Sequence, residues 1–186
     1  MACEYPWAPH DSHKLDALLR AGVRTFIDLT ESGELRPYFT VLNERASLLG
    51  ISDMDAIEYH RFPIRDRSLP SSLNQIHSIL NILAASQAKN RISAVHCRGG
   101  IGRTGLVVGC WLVQSGLATD GEEALRIIAK EWKGVEKCTR FPHSPETGEQ
   151  ETFVRNWKVG LELKAVMGVG SGLTVTGGLV RMVPGL

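Results

Sequence analysis

The chain has 186 residues, 43% of them apolar and 22% charged, which suits one globular domain and excludes both two full catalytic domains and a chain too short to bury a core. Lys and Arg number 21 against 20 Asp and Glu, a net charge of +1, so no bulk field draws in nucleic acid or an anionic membrane. Any affinity for an anion has to come from a local site.

Residues 12–21 place Leu15, Leu18 and Leu19 on one helical face, with Gly22 as the stop. Val23–Leu29 alternates and is β-branched, which predicts a strand. Residues 38–49 read as a helix ending at Gly50, and Tyr59–Ile64 as a strand whose Pro63 suits a strand end or sheet edge. After a polar loop from Asp66 to Pro70, Ser71 or Ser72 caps a helix with Leu73, Ile76, Ile79, Leu80 and Leu83 as its buried stripe. Arg91–His96 is a short apolar strand, fit for the middle of a parallel sheet. A glycine-dense turn follows, then an almost wholly apolar helix through Leu106–Val113 that should be buried on most sides. Asp120 with Glu123 predicts a capping box for a helix over Glu122–Trp132, and a last helix is expected around Gln150–Leu163. Alternating strands and helices make this an α/β fold, with a central, mostly parallel sheet flanked by helices.

From Val166 onward the composition shifts to six glycines (168, 170, 172, 177, 178 and 185) and a single charge, Arg181. We therefore divide the chain into a domain over 1–163 and a Gly-rich tail over 164–186. Cys3, Cys97, Cys110 and Cys138 form neither a CxxC pair nor a zinc-finger spacing, which points to a reduced protein rather than a disulfide-stapled one. No apolar run approaches the roughly 18 residues of a membrane span, and MACEYPWAPHD lacks the regions of a signal peptide. A cytoplasmic monomer is the expectation, with no membrane or nucleic-acid partner.

Chemistry concentrates in Val95-His96-Cys97-Arg98-Gly99-Gly100-Ile101-Gly102-Arg103-Thr104-Gly105, between a predicted strand and a buried helix. The glycines let successive N–H groups turn into one concavity, and the helix brings its positive end to the same point. Arg103 can set a planar two-donor fork against a tetrahedral oxyanion. Cys97 opens the loop beneath that bowl, where a helix N-terminus and a guanidinium favour the thiolate. Chance is a poor explanation. A bare Cys-x5-Arg turns up in roughly one chain in five of this size, whereas the further His, Gly and Thr-Gly make it on the order of one in a million.

At these residues the chain resembles the cysteine-dependent protein tyrosine phosphatase superfamily, whose signature His-Cys-x-x-Gly-x-x-Arg-Ser/Thr-Gly is matched in full. Its size is similar to the compact dual-specificity branch. Phe62-Pro63-Ile64-Arg65-Asp66-Arg67-Ser68-Leu69-Pro70 resembles the mobile acid loop, with Asp66 as general acid, and Thr147-Gly148-Glu149-Gln150 the glutamine loop that positions water. The resemblance implies a phosphocysteine intermediate on Cys97 and phosphate held by Arg98, Gly99, Gly100, Ile101, Gly102 and Arg103. It also implies that Thr104 stabilises the departing thiolate and that His96 fixes the loop. Neither a metal nor a cofactor is needed, because the bowl supplies the positive charge.

Other readings stay open at this point. Asp66 before Ser-Leu-Pro also suits a plain turn, with Asp28 and Asp11 as alternative acids. Thr147-x-x-Gln150 is also a helix capping box. Tyrosine-specific members carry a second glutamine where this chain has Glu146, which sets a negative charge near the phosphate site. Phosphorylated protein is the expected substrate and partner, first through phosphotyrosine and then through phosphoserine or phosphothreonine. Arg65, Arg67 and Arg98 near the mouth keep a phosphoinositide or an RNA 5′ phosphate in view, and a non-catalytic phosphoprotein-binding module is a third reading.

Overall fold

The computed structural model describes residues 1–7, 12–51 and 57–159. The division at 163/164, the Gly-rich tail and the alternative acid Asp11 lie outside the described residues. In chain order the elements are β1 (Ala2–Cys3), α1 (His13–Arg20), β2 (Val23–Asp28), α2 (Phe39–Leu48), β3 (Glu58–Arg61), α3 (Leu73–Ala88), β4 (Ile92–His96), α4 (Gly102–Gln114), α5 (Gly121–Trp132), a 3-10 turn (Glu136–Thr139) and α6 (Gly148–Arg155). The sheet is parallel throughout, in the order β1-β4-β2-β3.

Alternation along the strands builds two cores. Ile27, Leu29 and Val95 face one side, packed with Ile76, Ile79 and Leu80 of α3 and with Leu106, Val107 and Cys110 of α4. Phe26, Val23 and Ala94 face the other, against Leu15, Leu18 and Leu19 of α1 and Leu42 of α2. Both layers contribute burial of about 25 cal/mol per Å² of apolar surface. All strands point the same way, so their carboxyl ends gather on one edge, the usual place for a binding crevice in such sheets.

Several expectations need correction. β1 was not foreseen: two residues suffice because Val95 N donates to Met1 O at 2.9 Å and the pair only extends an existing sheet. β3 ends at Arg61, although the chain keeps beside β2 through Phe62 N–H to Asp28 O at 2.8 Å and Ile64 N–H to Leu29 O at 3.1 Å. Pro63 has no N–H and interrupts the ladder. Leu73 is 59% exposed rather than buried, because it sits in the first turn of α3, beyond the edge of the sheet. Asp120 caps α5 as foreseen, but Glu123 reaches back to Thr119 N and Oγ1, at 2.7 Å each, instead of to the Asp120 N–H. The last helix stops at Arg155: Trp157 N–H closes a tighter turn onto Val154 O, and the indole packs on Phe153 and His77.

Candidate active site

β4 delivers His96 and Cys97 to the carboxyl edge, and the loop to α4 then wraps over them. Its carbonyls are turned outward and held: Arg98 O accepts from Tyr5 N–H at 3.2 Å, Gly99 O from Lys137 Nζ at 3.3 Å and Ile101 O from Ser144 Oγ at 2.9 Å. Lys137 is itself paired with Glu4. Turning the carbonyls out turns the amides in, and the N–H groups of Arg98, Gly99, Gly100 and Ile101 find no acceptor among the described residues. Gly100 makes the curl possible. Its φ is +72°, and a Cβ there would lie 2.6 Å from the carbonyl of Cys3.

Cys97 is 3% exposed at the floor of this loop. Thr104 lies in the first turn of α4, and its buried hydroxyl has no hydrogen-bond partner among the described residues. Gly102 opens α4, and Gln150 presses on it: a Cβ on Gly102 would be 2.8 Å from Gln150 Oε1. Both ends of the Gln150 amide are engaged, Oε1 by the Thr147 N–H at 3.3 Å and Nε2 by Ser68 O at 3.1 Å. With Gln150 N–H donating to Thr147 Oγ1, the capping box is complete.

Arg103 is 1% exposed and held on two sides. Its Nη1 and Nη2 fork meets both oxygens of Glu34 at 2.7 Å, while Nη1 also donates to Ile64 O at 3.0 Å. Asp66 Oδ1 approaches Nη2 at 2.9 Å, and the buried Nε has no partner among the described residues. Glu34 thus takes the end-on edge of the guanidinium, and on the Nε/Nη2 side edge, the one suited to two oxygens of a phosphate, Asp66 meets Nη2 while Nε has no acceptor among the described residues. Burial works against the Arg103 charge, but the Glu34 hydrogen bonds and the charges of Cys97 and Asp66 outweigh it, so the side chain is held firmly protonated. In return, the Arg103 hydrogen bonds keep the Glu34 carboxyl below the ordinary carboxylate range. Sequence reasoning missed Glu34, since a lone acid in a loop carries no pattern.

Behind the cradle lies a second group that the sequence reading also missed. His96 Nε2 is 2.6 Å from the Tyr38 hydroxyl, and Nδ1 is 3.9 Å from Asp28 Oδ1. A bare Nδ1 lone pair would be repelled by that carboxylate, so we assign the proton to Nδ1 and let Tyr38 donate to Nε2. Asp28 accepts from Thr30 N–H and Oγ1 and from the Tyr59 hydroxyl, all within 2.8 Å. Its carboxylate is fully committed and buried, which removes it as an alternative acid.

Burial brings the His96 pKa down from 6.5 to about 4, despite the nearby Asp28 charge. The unfolded chain therefore takes up this proton near pH 6.5 and the folded chain only near pH 4. Stability contributed by neutral His96 is complete above pH 6.5 and is lost as the pH falls through that window, by about 2–3 kcal/mol at pH 4.5. Urea unfolding at pH 7.5 and 4.5 should show this slope in the wild type and lose it in His96→Asn; equal slopes in both proteins would contradict the assignment. Burial pushes the Cys3 thiol up to about 12 and raises the Cys110 thiol as well, which keeps these two protonated.

Comparison with known proteins agrees with this geometry. The sequence matches the family described as Swiss Army Knife protein, DSP-PTPase phosphatase domain, over residues 4–154. Protein tyrosine phosphatase domain-containing protein 1 of Mus musculus is 26% identical over 119 residues, 62% of this chain and 16% of that protein. The phosphatidylinositol 3,4,5-trisphosphate 3-phosphatase and protein-tyrosine-phosphatase PTEN1 of Arabidopsis thaliana is 40% identical over 103 residues, 52% of this chain and 22% of that protein. The chain thus spans about a fifth of the length of these relatives. The crystal structure of Tk-PTP in the active form superposes with a TM-score of 0.60 at 26% identity, covering 83% of this chain and 87% of that one. Motif, parallel sheet and matched span together place the chain in the Swiss Army Knife DSP-PTPase phosphatase domain family, compact and dual-specificity-like, within the cysteine-dependent protein tyrosine phosphatases.

Proposed function

We propose that this domain hydrolyses phosphotyrosine in protein, as a protein-tyrosine-phosphatase, through a phosphocysteine intermediate on Cys97. One observation carries the reading: the loop from the buried Cys97 to the buried Arg103 holds four N–H donors, Arg98 to Ile101, that find no acceptor among the described residues. Such donors, fixed before substrate arrives, match the three equatorial oxygens of a phosphoryl group in flight. Cys97 thiolate attacks phosphorus in line, the phosphorus–oxygen bond to the substrate breaks, and Asp66 gives its proton to the departing oxygen. In the second step Asp66 as carboxylate takes a proton from water, the water oxygen bonds to phosphorus, and the sulfur leaves. The uncommitted Thr104 hydroxyl serves as donor to that sulfur. Gln150 is assigned to capping and to holding Ser68, since both ends of its amide are engaged.

A second reading, a phosphoinositide substrate, is favoured by the exposed Arg65 and Arg98 beside the acid and cysteine positions and by the name of the Arabidopsis relative. A substrate panel separates the two. Phosphotyrosine peptide should exceed phosphatidylinositol phosphate and RNA 5′-phosphate in kcat/KM by about tenfold or more, the equivalent of one strong anchoring contact. Phosphoserine and phosphothreonine peptides in the same panel decide dual specificity. Preference for the lipid, or binding of phosphopeptide without turnover, would overturn the proposal.

A further inference from the structure

Contacts of two kinds hold the acid segment over the cradle. Gln75 Nε2 donates to Pro63 O at 2.9 Å, Arg103 Nη1 to Ile64 O at 3.0 Å and Gln150 Nε2 to Ser68 O at 3.1 Å, each gripping a backbone carbonyl on one side or the other of Asp66. Two more are ionic: the buried Arg103 meets Asp66 Oδ1 through Nη2 at 2.9 Å, and at the surface Arg67 Nη1 donates to Glu146 Oε1 at 2.8 Å, joining side chains 79 residues apart. The Arg67 side chain is 65% exposed, so this contact can open into water without stranding a buried group.

Two further facts make the pair more than surface decoration. Arg67 lies at φ +56°, the left-handed region in which a residue with a Cβ is held at some cost, and it is the immediate neighbour of Asp66. Glu146, for its part, stands against the cradle itself. A Cβ on Gly102 would lie 3.1 Å from the Glu146 Cβ, and Ser144, two residues earlier, donates to Ile101 O. The pair therefore ties the residue next to the acid to the rim of the phosphate loop.

We propose that Arg67 and Glu146 form a latch that sets how often Asp66 stands over the cradle, which makes both of them positioning residues for proton transfer to the leaving group. The inference rests on Asp66 as general acid. When the latch opens, a phenyl phosphate, whose departing oxygen needs a proton, suffers more than 2,4-dinitrophenyl phosphate, whose anion leaves unaided. The surface charge pair also makes closure sensitive to salt.

The test is kcat for both esters, in the wild type, Arg67→Ala, Glu146→Ala and the exchanged pair Arg67→Glu with Glu146→Arg. Each single variant should lose about two- to fivefold on phenyl phosphate, the range of an exposed ion pair, and little on the dinitrophenyl ester. The exchanged pair should recover most of the loss, and raising the salt should move the wild type toward the single variants. Wild-type rates in both single variants, equal losses on the two esters, or no recovery in the exchanged pair would overturn the latch. Asp66→Asn is the control for the underlying reading. If it too shows no dependence on the leaving group, the general-acid role falls and takes the latch with it; if it shows that dependence while the latch variants do not, only the latch is lost.

Discussion

Cys97→Ser should abolish turnover of an aryl phosphate while leaving phosphate-loop binding intact, and Asp66→Ala should slow it by about 10²–10⁴-fold. Serine is isosteric, but its hydroxyl stays protonated where a thiol can ionise, and an alkoxide in the second step is a poor leaving group from phosphorus. The cradle amides stand in either variant, because the contacts that turn the loop carbonyls outward come from Tyr5, Lys137 and Ser144. Cys97→Ser is thus expected to hold a phosphotyrosine peptide without cleaving it. The loss in Asp66→Ala should be larger for phenyl phosphate, whose departing oxygen needs a proton, than for 2,4-dinitrophenyl phosphate, whose anion leaves unaided. The measurement is single-turnover hydrolysis of both esters with a chelator present. Persistent turnover by Cys97→Ser, or equal losses on the two esters in Asp66→Ala, would sink the respective assignment.

The second large effect is expected at Arg103. Arg103→Lys keeps the charge but has one nitrogen where the guanidinium has three, two of them already engaged. Lysine cannot meet both Glu34 oxygens and Ile64 O while also offering an edge to phosphate. We expect kcat to fall by about 10²–10³-fold, the size of losing one fixed oxyanion donor pair. Glu34→Gln should give a milder fall, of about tenfold, because the amide can still accept from one nitrogen but no longer orients the fork through charge. If Arg103→Lys retained wild-type kcat, the guanidinium would be structural and the amides alone would carry the phosphate. If Glu34→Gln were as damaging as Arg103→Lys, Glu34 itself would have to touch the reacting atoms.

Reading residue by residue shows where sequence suffices. Cys97, Arg103 and the glycines between them were legible because their chemistry is local: ten residues curl at the end of a strand and meet the start of a helix. Asp66 was legible only through resemblance, since Asp before Ser-Leu-Pro looks like any turn. The Gln150 motif was legible in both of its meanings, and contacts with Thr147 and Ser68 show where the amide is engaged. Glu34, 69 residues from its partner, and Tyr38, 58 residues from His96, carried no pattern. Leu73 misled because helical periodicity says which face is apolar, not how far along its axis the helix is covered.

By itself, then, the sequence determined the α/β alternation, the two-sided burial of the sheet and the place of the glycine-rich loop that carries Cys97, all of which follow from periodicity, strand composition and glycine over short stretches. Tertiary structure alone decided which carboxylate holds Arg103, which hydroxyl orients His96 and which cation meets Glu146. Those choices depend on which loops the parallel sheet gathers at its carboxyl edge, and chain separation carries no information about that meeting.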